Sequence, residues 1–386
     1  MPASLNAKPS EAAQQQCDKG LCRNPSAQCI AKSSKSLNIG LINNMPDGAL
    51  EATERQFLSL LNSASDGMSI RLSLYSLPDV PRNEMGERHV RRFYSSTESL
   101  RDRQLDGLIV TGREPLTSNL ADEPYWESFT RILEWASENT RSTIWSCLAA
   151  HAATLHMDGI HRIKSSHKHC GVFDCTRLSD HPLTAGTPAR FKLPHSRWNG
   201  IPEDQLNACG YRVLTRAADA GVDMFIKQQK SLFVFFQGHP EYESSTLLLE
   251  YRRDVSRYLR GETDTYPSIP RGYFDDDTMI RLTAIQQEAK ANPRDDIRAE
   301  LGGILEKLCI ENTWHQTATY VYRNWLQYIC TQKELELRGR LASEVLNIGS
   351  SILSPAAASS VPASTVIPVG AQRSSTTSVP PLMTAL

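Results

Sequence analysis

STIWSCLAAHAATL, residues 142–155, changes structural period at a single residue. The first five positions are β-branched, aromatic and small, which suits a strand buried on both faces. The run LAAHAATL after Cys147 consists largely of good helix formers. A strand, a sharp turn and a helix make an elbow. Such an elbow exposes the side chain at the turn, sets a backbone N–H beside an incoming carbonyl oxygen, and aims the positive end of a helix at the sulfur. Those effects favour a thiolate nucleophile at Cys147. Taken alone, the residue fits equally a buried cysteine acting as a small hydrophobe.

Working outward, strand-like apolar runs alternate with helical patterns. The runs are LNIGLIN (37–43), IRLSLYSL (70–77), GLIVTG (107–112), DMFIKQQ (223–229) and LFVFFQG (232–238). Leu50, Phe57, Leu58 and Leu61 share one helical face, as do Trp126, Phe129, Ile132, Leu133 and Trp135. The alternation predicts an α/β fold, a doubly wound, mainly parallel sheet covered by helices. Ligands of such sheets bind at the carboxyl ends of strands, where Thr111-Gly112, Cys147 and Gly238-His239 all stand. A more helical segment follows: Thr246 to Arg260, then Ile280 to Leu308 broken near Pro293, then Thr313 to Glu336 leading into another helix ending near Leu346.

Composition narrows the function classes. With 42 Lys+Arg against 43 Asp+Glu, the net charge of -1 offers no global field for nucleic acid or an anionic membrane surface. No run approaches the roughly 20 apolar residues of a membrane span, and the N-terminus has no apolar signal core, so a cytoplasmic enzyme acting on small molecules is expected. Nine cysteines, an odd number, suggest free thiols rather than a disulfide scaffold. Residues 1–35 read as a flexible leader, 36–348 as a catalytic domain and the Ser/Ala/Pro-rich 349–386 as a disordered tail. Cys17, Cys22 and Cys29 in the leader lack a fourth partner at zinc spacing. The cluster His151, His156, His161, His167, His169, Cys170 and Cys175 fits no tetrahedral pattern either, and no metal is expected.

The second chemical element is Gln237-Gly238-His239-Pro240-Glu241-Tyr242, directly after the most apolar strand. In an extended segment His239 and Glu241 project to one side, so the carboxylate orients the imidazole and stabilises its protonated form. A lone His-x-Glu is usually a surface loop. Paired with an elbow cysteine, it becomes a candidate triad.

An elbow Cys followed by GHPEY resembles the homoserine O-succinyltransferase family, within the class I glutamine amidotransferase-like superfamily. Further segments match in family order: LNIGLINNMP (37–46), DGLIVTG (106–112), YW (125–126), GVF (171–173), PHSRW (194–198), EYRRDV (250–255) and NWLQY (324–328). The resemblance implies acyl transfer from an acyl-CoA co-substrate to the hydroxyl of L-homoserine in methionine biosynthesis, with no bound cofactor and with a homodimer as the assembly. Succinyl is the acyl group it favours. A homoserine or serine O-acetyltransferase, or a triad hydrolase or amidotransferase of the same fold, is the alternative. It implies Cys147, His239 and Glu241 as catalytic residues, and the backbone N–H groups of Leu148 and of Gly112 or its neighbour as oxyanion donors. Lys168, Ser196, Arg197 and Arg253 match family substrate-binding positions. Glu250 is a candidate for offsetting the homoserine ammonium, the competing reading being an i,i+3 ion pair with Arg253. The chain departs from the family in three places. NNMPDGALEATERQF is longer than usual and lacks a Lys, Arg113-Glu114-Pro115-Leu116 follows VTG where Ala-Pro is common, and the elbow reads Cys147-Leu148-Ala149-Ala150. Arg113, beside the predicted site, is a candidate partner for a succinyl carboxylate.

Overall fold

The computed structural model describes residues 4–5, 34–294 and 296–352. The leader expected over 1–35, with Cys17, Cys22 and Cys29, and the tail over 349–386 lie almost wholly outside them. The chain divides into two units, Met1–Leu341 and Ala342–Leu386, and every candidate site residue falls in the first.

The strands run Ser4–Leu5 (β1), Ser36–Ile42 (β2), Ser69–Ser76 (β3), Ser95–Ser96 (β4), Gly107–Thr111 (β5), Ser142–Ser146 (β6), Ile163–Arg177 (β7), Arg190–Gly200 (β8), Arg212–Val213 (β9), Thr215–Ala217 (β10), Gly221–Val222 (β11), Met224–Gln228 (β12) and Leu232–Phe236 (β13). The α-helices are Leu50–Ala64 (α1), Glu84–Phe93 (α2), Trp126–Asn139 (α3), Leu148–Asp158 (α4), Glu203–Ala208 (α5), Thr246–Leu259 (α6), Asp276–Ala291 (α7), Asp296–Leu305 (α8) and His315–Ile352 (α9).

The main sheet has the order β1-β3-β2-β5-β6-β13-β12-β9, with β4 beside β3. It is parallel from β1 to β13 and antiparallel where β12 meets β13 and β9. This agrees with the expected mainly parallel α/β sheet, except that DMFIKQQ turns back as a hairpin partner of LFVFF. Alternating side chains feed two cores. Leu41, Ile109, Ile144, Val234 and Phe236 pack with α1 and the first turns of α9 on one face. Ile42, Val110, Trp145, Phe233 and Phe235 pack with α3 and α4 on the other. A buried aromatic or aliphatic side chain contributes roughly 1.5–3 kcal/mol, so this two-sided burial explains why the strands read as unbroken apolar runs.

A second, antiparallel sheet of order β11-β10-β7-β8 was not evident from sequence. Its long strand IKSSHKHCGVFDCTR is polar over its first half, and its register with β8 shifts between Lys164 and His169. Gly171 explains the GVF motif. Its backbone has φ +141°, and an added Cβ would stand 2.2 Å from Arg271 O. Val172 N–H donates to Arg271 O at 2.7 Å, and Arg271 N–H to Cys170 O at 2.9 Å. α9 is one helix rather than the two expected after Thr313. Trp325 in NWLQY anchors it by donating its indole N–H to Ser142 Oγ at 2.9 Å.

Candidate active site

The register of the main sheet places Thr111 opposite Ser146, and Ser146 opposite Phe236. The residues that leave these strand ends, Gly112, Cys147 and Gln237 to His239, therefore emerge side by side. Cys147 holds φ +52°, ψ -112°, one of two described non-glycine residues at positive φ. Such a conformation costs on the order of 1–3 kcal/mol and persists only where its surroundings impose it. Here Cys147 N–H donates to Phe236 O at 2.7 Å, while Cys147 O accepts from Ala150 N–H at 3.0 Å and so starts α4. Gly112 lets the β5 end approach: a Cβ there would lie 2.4 Å from Leu148 Cβ and 2.8 Å from Ala149 N.

The amides of Leu148 and Ala149 belong to the first turn of α4, where backbone N–H groups have no intrahelical acceptor. They and the helix dipole face a half-buried sulfur. The Gly112 N–H is already spent on Ser146 O at 3.2 Å. The next amide, that of Arg113, is the donor left at the β5 end.

The segment carrying His239 and Glu241 is a turn rather than an extended strand, closed by Tyr242 N–H donating to His239 O at 3.2 Å. The contact predicted between the two side chains forms nonetheless. Buried His239 Nδ1–H donates to Glu241 Oε1 at 2.9 Å, which leaves Nε2 for Cys147, within whose electrostatic reach the imidazole lies. Burial alone would lower the His239 pKa. The negative charges of Cys147 and Glu241 and the Glu241 hydrogen bond outweigh it and hold the ring well above the ordinary imidazole value.

Tyr242 was not given a role from the sequence, although it lies in the quoted GHPEY. Its ring stacks on His239 at 4.2 Å and 18°. Its hydroxyl donates to Glu250 Oε1 at 2.6 Å, and Ser196 donates to Glu250 Oε2 at 2.6 Å. The turn is pinned on both sides by His239 N–H to Pro194 O at 2.8 Å and Trp314 Nε1–H to Tyr242 O at 2.8 Å. Stack and hydroxyl together tie the His239 ring to the Glu250 carboxylate.

The candidate binding residues divide into two sets. Lys168 pairs with Asp254 at 3.1 Å, and Arg253 holds the same carboxylate through Nε at 2.9 Å, so these groups converge with Glu250 on α6. The i,i+3 pair of Glu250 with Arg253 does not form, because each has other partners. Arg197 is buried and turned inward. Its Nη1 donates to Asn199 O at 2.6 Å, its Nη2 to Ala220 O, and its Nε to His195 Nδ1 at 3.4 Å. Each of its three nitrogens donates within the protein, which turns the fork away from the geometry of a bidentate carboxylate clamp.

The histidines near Cys147 are packing residues by environment. Burial, then the charges of Arg197 and Arg162, holds His151 neutral down to about 3, and His195 is likewise depressed by burial and Arg197. Among the described residues no group of three His, Cys, Asp or Glu side chains is arranged to hold a metal ion. Burial pushes the Cys170 thiol up to about 11 and raises that of Cys175 further, so neither competes as a nucleophile. No described helix is long and apolar enough to cross a membrane.

Similarity to known proteins is extensive. The chain is 44% identical over 295 residues to the homoserine O-succinyltransferase of Methylorubrum extorquens, covering 76% of this chain and 88% of that protein. It is 45% identical over 305 residues to that of Rhodopseudomonas palustris, covering 79% and 91%, and 44% identical over 300 residues to that of Bradyrhizobium japonicum, covering 78% and 92%. A solved glutamine amido transferase from Methylobacillus flagellatus aligns at 15% identity with a TM-score of 0.43, over 76% of this chain and 95% of that one. The family profile "HTS: Homoserine O-succinyltransferase" matches residues 17–335, and the chain belongs to that family.

Proposed function

We propose that this protein transfers a succinyl group from succinyl-CoA to the hydroxyl of L-homoserine, through an acyl-enzyme on Cys147, as a step of methionine biosynthesis. The observation that carries the reading is the elbow thiol within electrostatic reach of an imidazole that a buried carboxylate orients. Cys147 thiolate attacks the thioester carbonyl and expels CoA, whose sulfur takes the proton of the His239 imidazolium, an exchange of one thioester for another that leaves the ring neutral. His239 then accepts the proton of the homoserine hydroxyl as its oxygen attacks the acyl-enzyme and restores the thiolate. The developing oxyanion is held by Leu148 N–H and Arg113 N–H, each such donor being worth about 3 kcal/mol.

Homoserine binds toward α6, its ammonium at Glu250 and its carboxylate at Lys168 and Arg253. The resident charges there already alternate, with Lys168 and Arg253 on Asp254. No bound cofactor takes part in this scheme, and acyl-CoA is a co-substrate. We place the enzyme in the cytoplasm as a homodimer, with the helical region after residue 279 as the contact surface; sedimentation equilibrium tests the assembly.

The assay is release of CoA thiol from succinyl-CoA on addition of homoserine, which Cys147→Ser must abolish. CoA release at full rate without homoserine would instead identify a thioester hydrolase. Release from acetyl-CoA in preference to succinyl-CoA would reassign the donor.

A further inference from the structure

Two guanidinium groups beside the elbow have no acidic partner. Arg113 follows Gly112 directly, and Gly112 is the residue in closest approach to Leu148. Its one recorded hydrogen bond is a long one, Nε–H to Glu114 O at 3.4 Å, and its Nη1 is buried with no partner at all. Arg162, just before β7, donates Nη2–H to Ser118 O at 3.0 Å, which brings it onto the loop that follows Arg113. Neither arginine forms an ion pair within 4.0 Å among the described residues. Both lie within electrostatic reach of buried Tyr125, and Arg162 also of Cys147.

The carboxylates nearby are those of Glu114, which pairs with Arg257 at 3.2 Å, and Glu123, and neither forms an ion pair with these arginines. Glu123 Oε1 is committed to the loop, accepting from Leu116 N–H at 2.7 Å, Thr117 N–H at 2.8 Å and Thr117 Oγ1 at 2.9 Å. Its Oε2 is buried without a partner. The loop carboxylate thus shapes residues 116–123, Glu114 is engaged by Arg257, and Arg113 and Arg162 are left without an ion pair near Cys147. Tyr125, near both arginines, lines a narrow cavity with Gly112, Leu120 and Leu148, the residues that flank Arg113 and Cys147 in the chain being part of its wall. A buried guanidinium N–H without an acceptor is costly unless a ligand supplies one.

We propose that Arg113 and Arg162 bind the free carboxylate of a dicarboxylic acyl group while its thioester lies against Cys147. This rests on the acyl-transfer reading above and adds to it the determinant of donor choice. The succinyl carboxylate stands two methylenes from the reacting carbonyl, which matches a cationic site beside the nucleophile rather than at it. Arg offers a planar fork of N–H donors to such a group, and the partly buried setting strengthens the pairing. A neutral acyl chain leaves the same N–H groups unpaired and is rejected on that account.

The test compares succinyl-CoA with butyryl-CoA, which has a methyl group where succinyl has its carboxylate. In Arg162→Met and in Arg113→Met, kcat/KM for succinyl-CoA should fall roughly 30-fold or more while that for butyryl-CoA holds or rises, because the unpaired donors that penalise a neutral chain are gone. Turnover of butyryl-CoA reports that each variant is folded. Arg162→Lys should recover part of the succinyl preference. Equal losses for both donors in both variants would overturn the subsite and leave the acyl-transfer reading intact. No turnover of succinyl-CoA by the unaltered enzyme would remove both.

Discussion

Replacing Cys147 by glycine, rather than by alanine, separates the strain of the elbow from its chemistry. Both variants lack the proposed nucleophile and should be inactive. Alanine retains a Cβ at φ +52°, ψ -112°, and hence the conformational cost of about 1–3 kcal/mol. Glycine relieves that cost but adds back about 0.5–1 kcal/mol through the greater freedom of the unfolded chain. The backbone bonds that impose the turn, Cys147 N–H to Phe236 O and Ala150 N–H to Cys147 O, remain in both. The net difference is about 1 kcal/mol in favour of glycine, or roughly 2–4 °C in Tm for a domain somewhat smaller than this one. Thermal melts followed by circular dichroism measure it directly. A glycine variant melting at or below the alanine variant would refute the argument that the elbow is strained.

Three further outcomes follow from the same geometry. Glu241→Gln removes a charge that raises the His239 pKa, so an NMR titration of the imidazole should move to lower pH by on the order of one unit; an unmoved midpoint would deny the contact its electrostatic role. Because its folded value exceeds the free-imidazole value, His239 stabilises the native state fully below about pH 6.5 and loses that contribution as pH rises through the folded value. Urea midpoints of wild type and Glu241→Gln should therefore differ most near about pH 6 and converge at alkaline pH. Tyr242→Phe keeps the stack on His239 but frees Glu250 Oε1, and the KM for homoserine should rise about tenfold, more than that for the acyl donor; the reverse order would separate Glu250 from acceptor binding. Gly171→Ala forces a Cβ to within 2.2 Å of Arg271 O, and urea denaturation should show a loss of about 3 kcal/mol; wild-type stability would mean the β7 crossing yields freely.

The parts of the fold legible in the sequence are those whose burial is uniform. LFVFF and STIWS are covered on both faces, so composition alone marks them as strands, and their carboxyl ends locate Cys147 and His239. Ile163–Arg177 has an exposed polar half and a register shift, which hid the second sheet and made its histidines look like a loose cluster. The geometry of the candidate site was legible where residue type and strand position coincide, as at the elbow and in GHPEY. It was not legible where a role depends on what a side chain meets in three dimensions. Tyr242 matters because it reaches Glu250 while stacking on His239, and Arg197 is turned inward by two backbone carbonyls that no local pattern announces. Nor does the sequence show that Gly112 N–H is consumed by the sheet, which turns the proposed oxyanion donor from Gly112 to its neighbour.

The most direct test of a thiol nucleophile at the β6–α4 turn is to mix the protein with succinyl-CoA in the absence of homoserine, quench in acid, and digest for mass spectrometry. The peptide containing Cys147 should carry the mass of one succinyl group, which disappears when homoserine is added before the quench. Succinyl found on another residue, or CoA released in stoichiometric amount with Cys147 unmodified throughout, would contradict the proposed route.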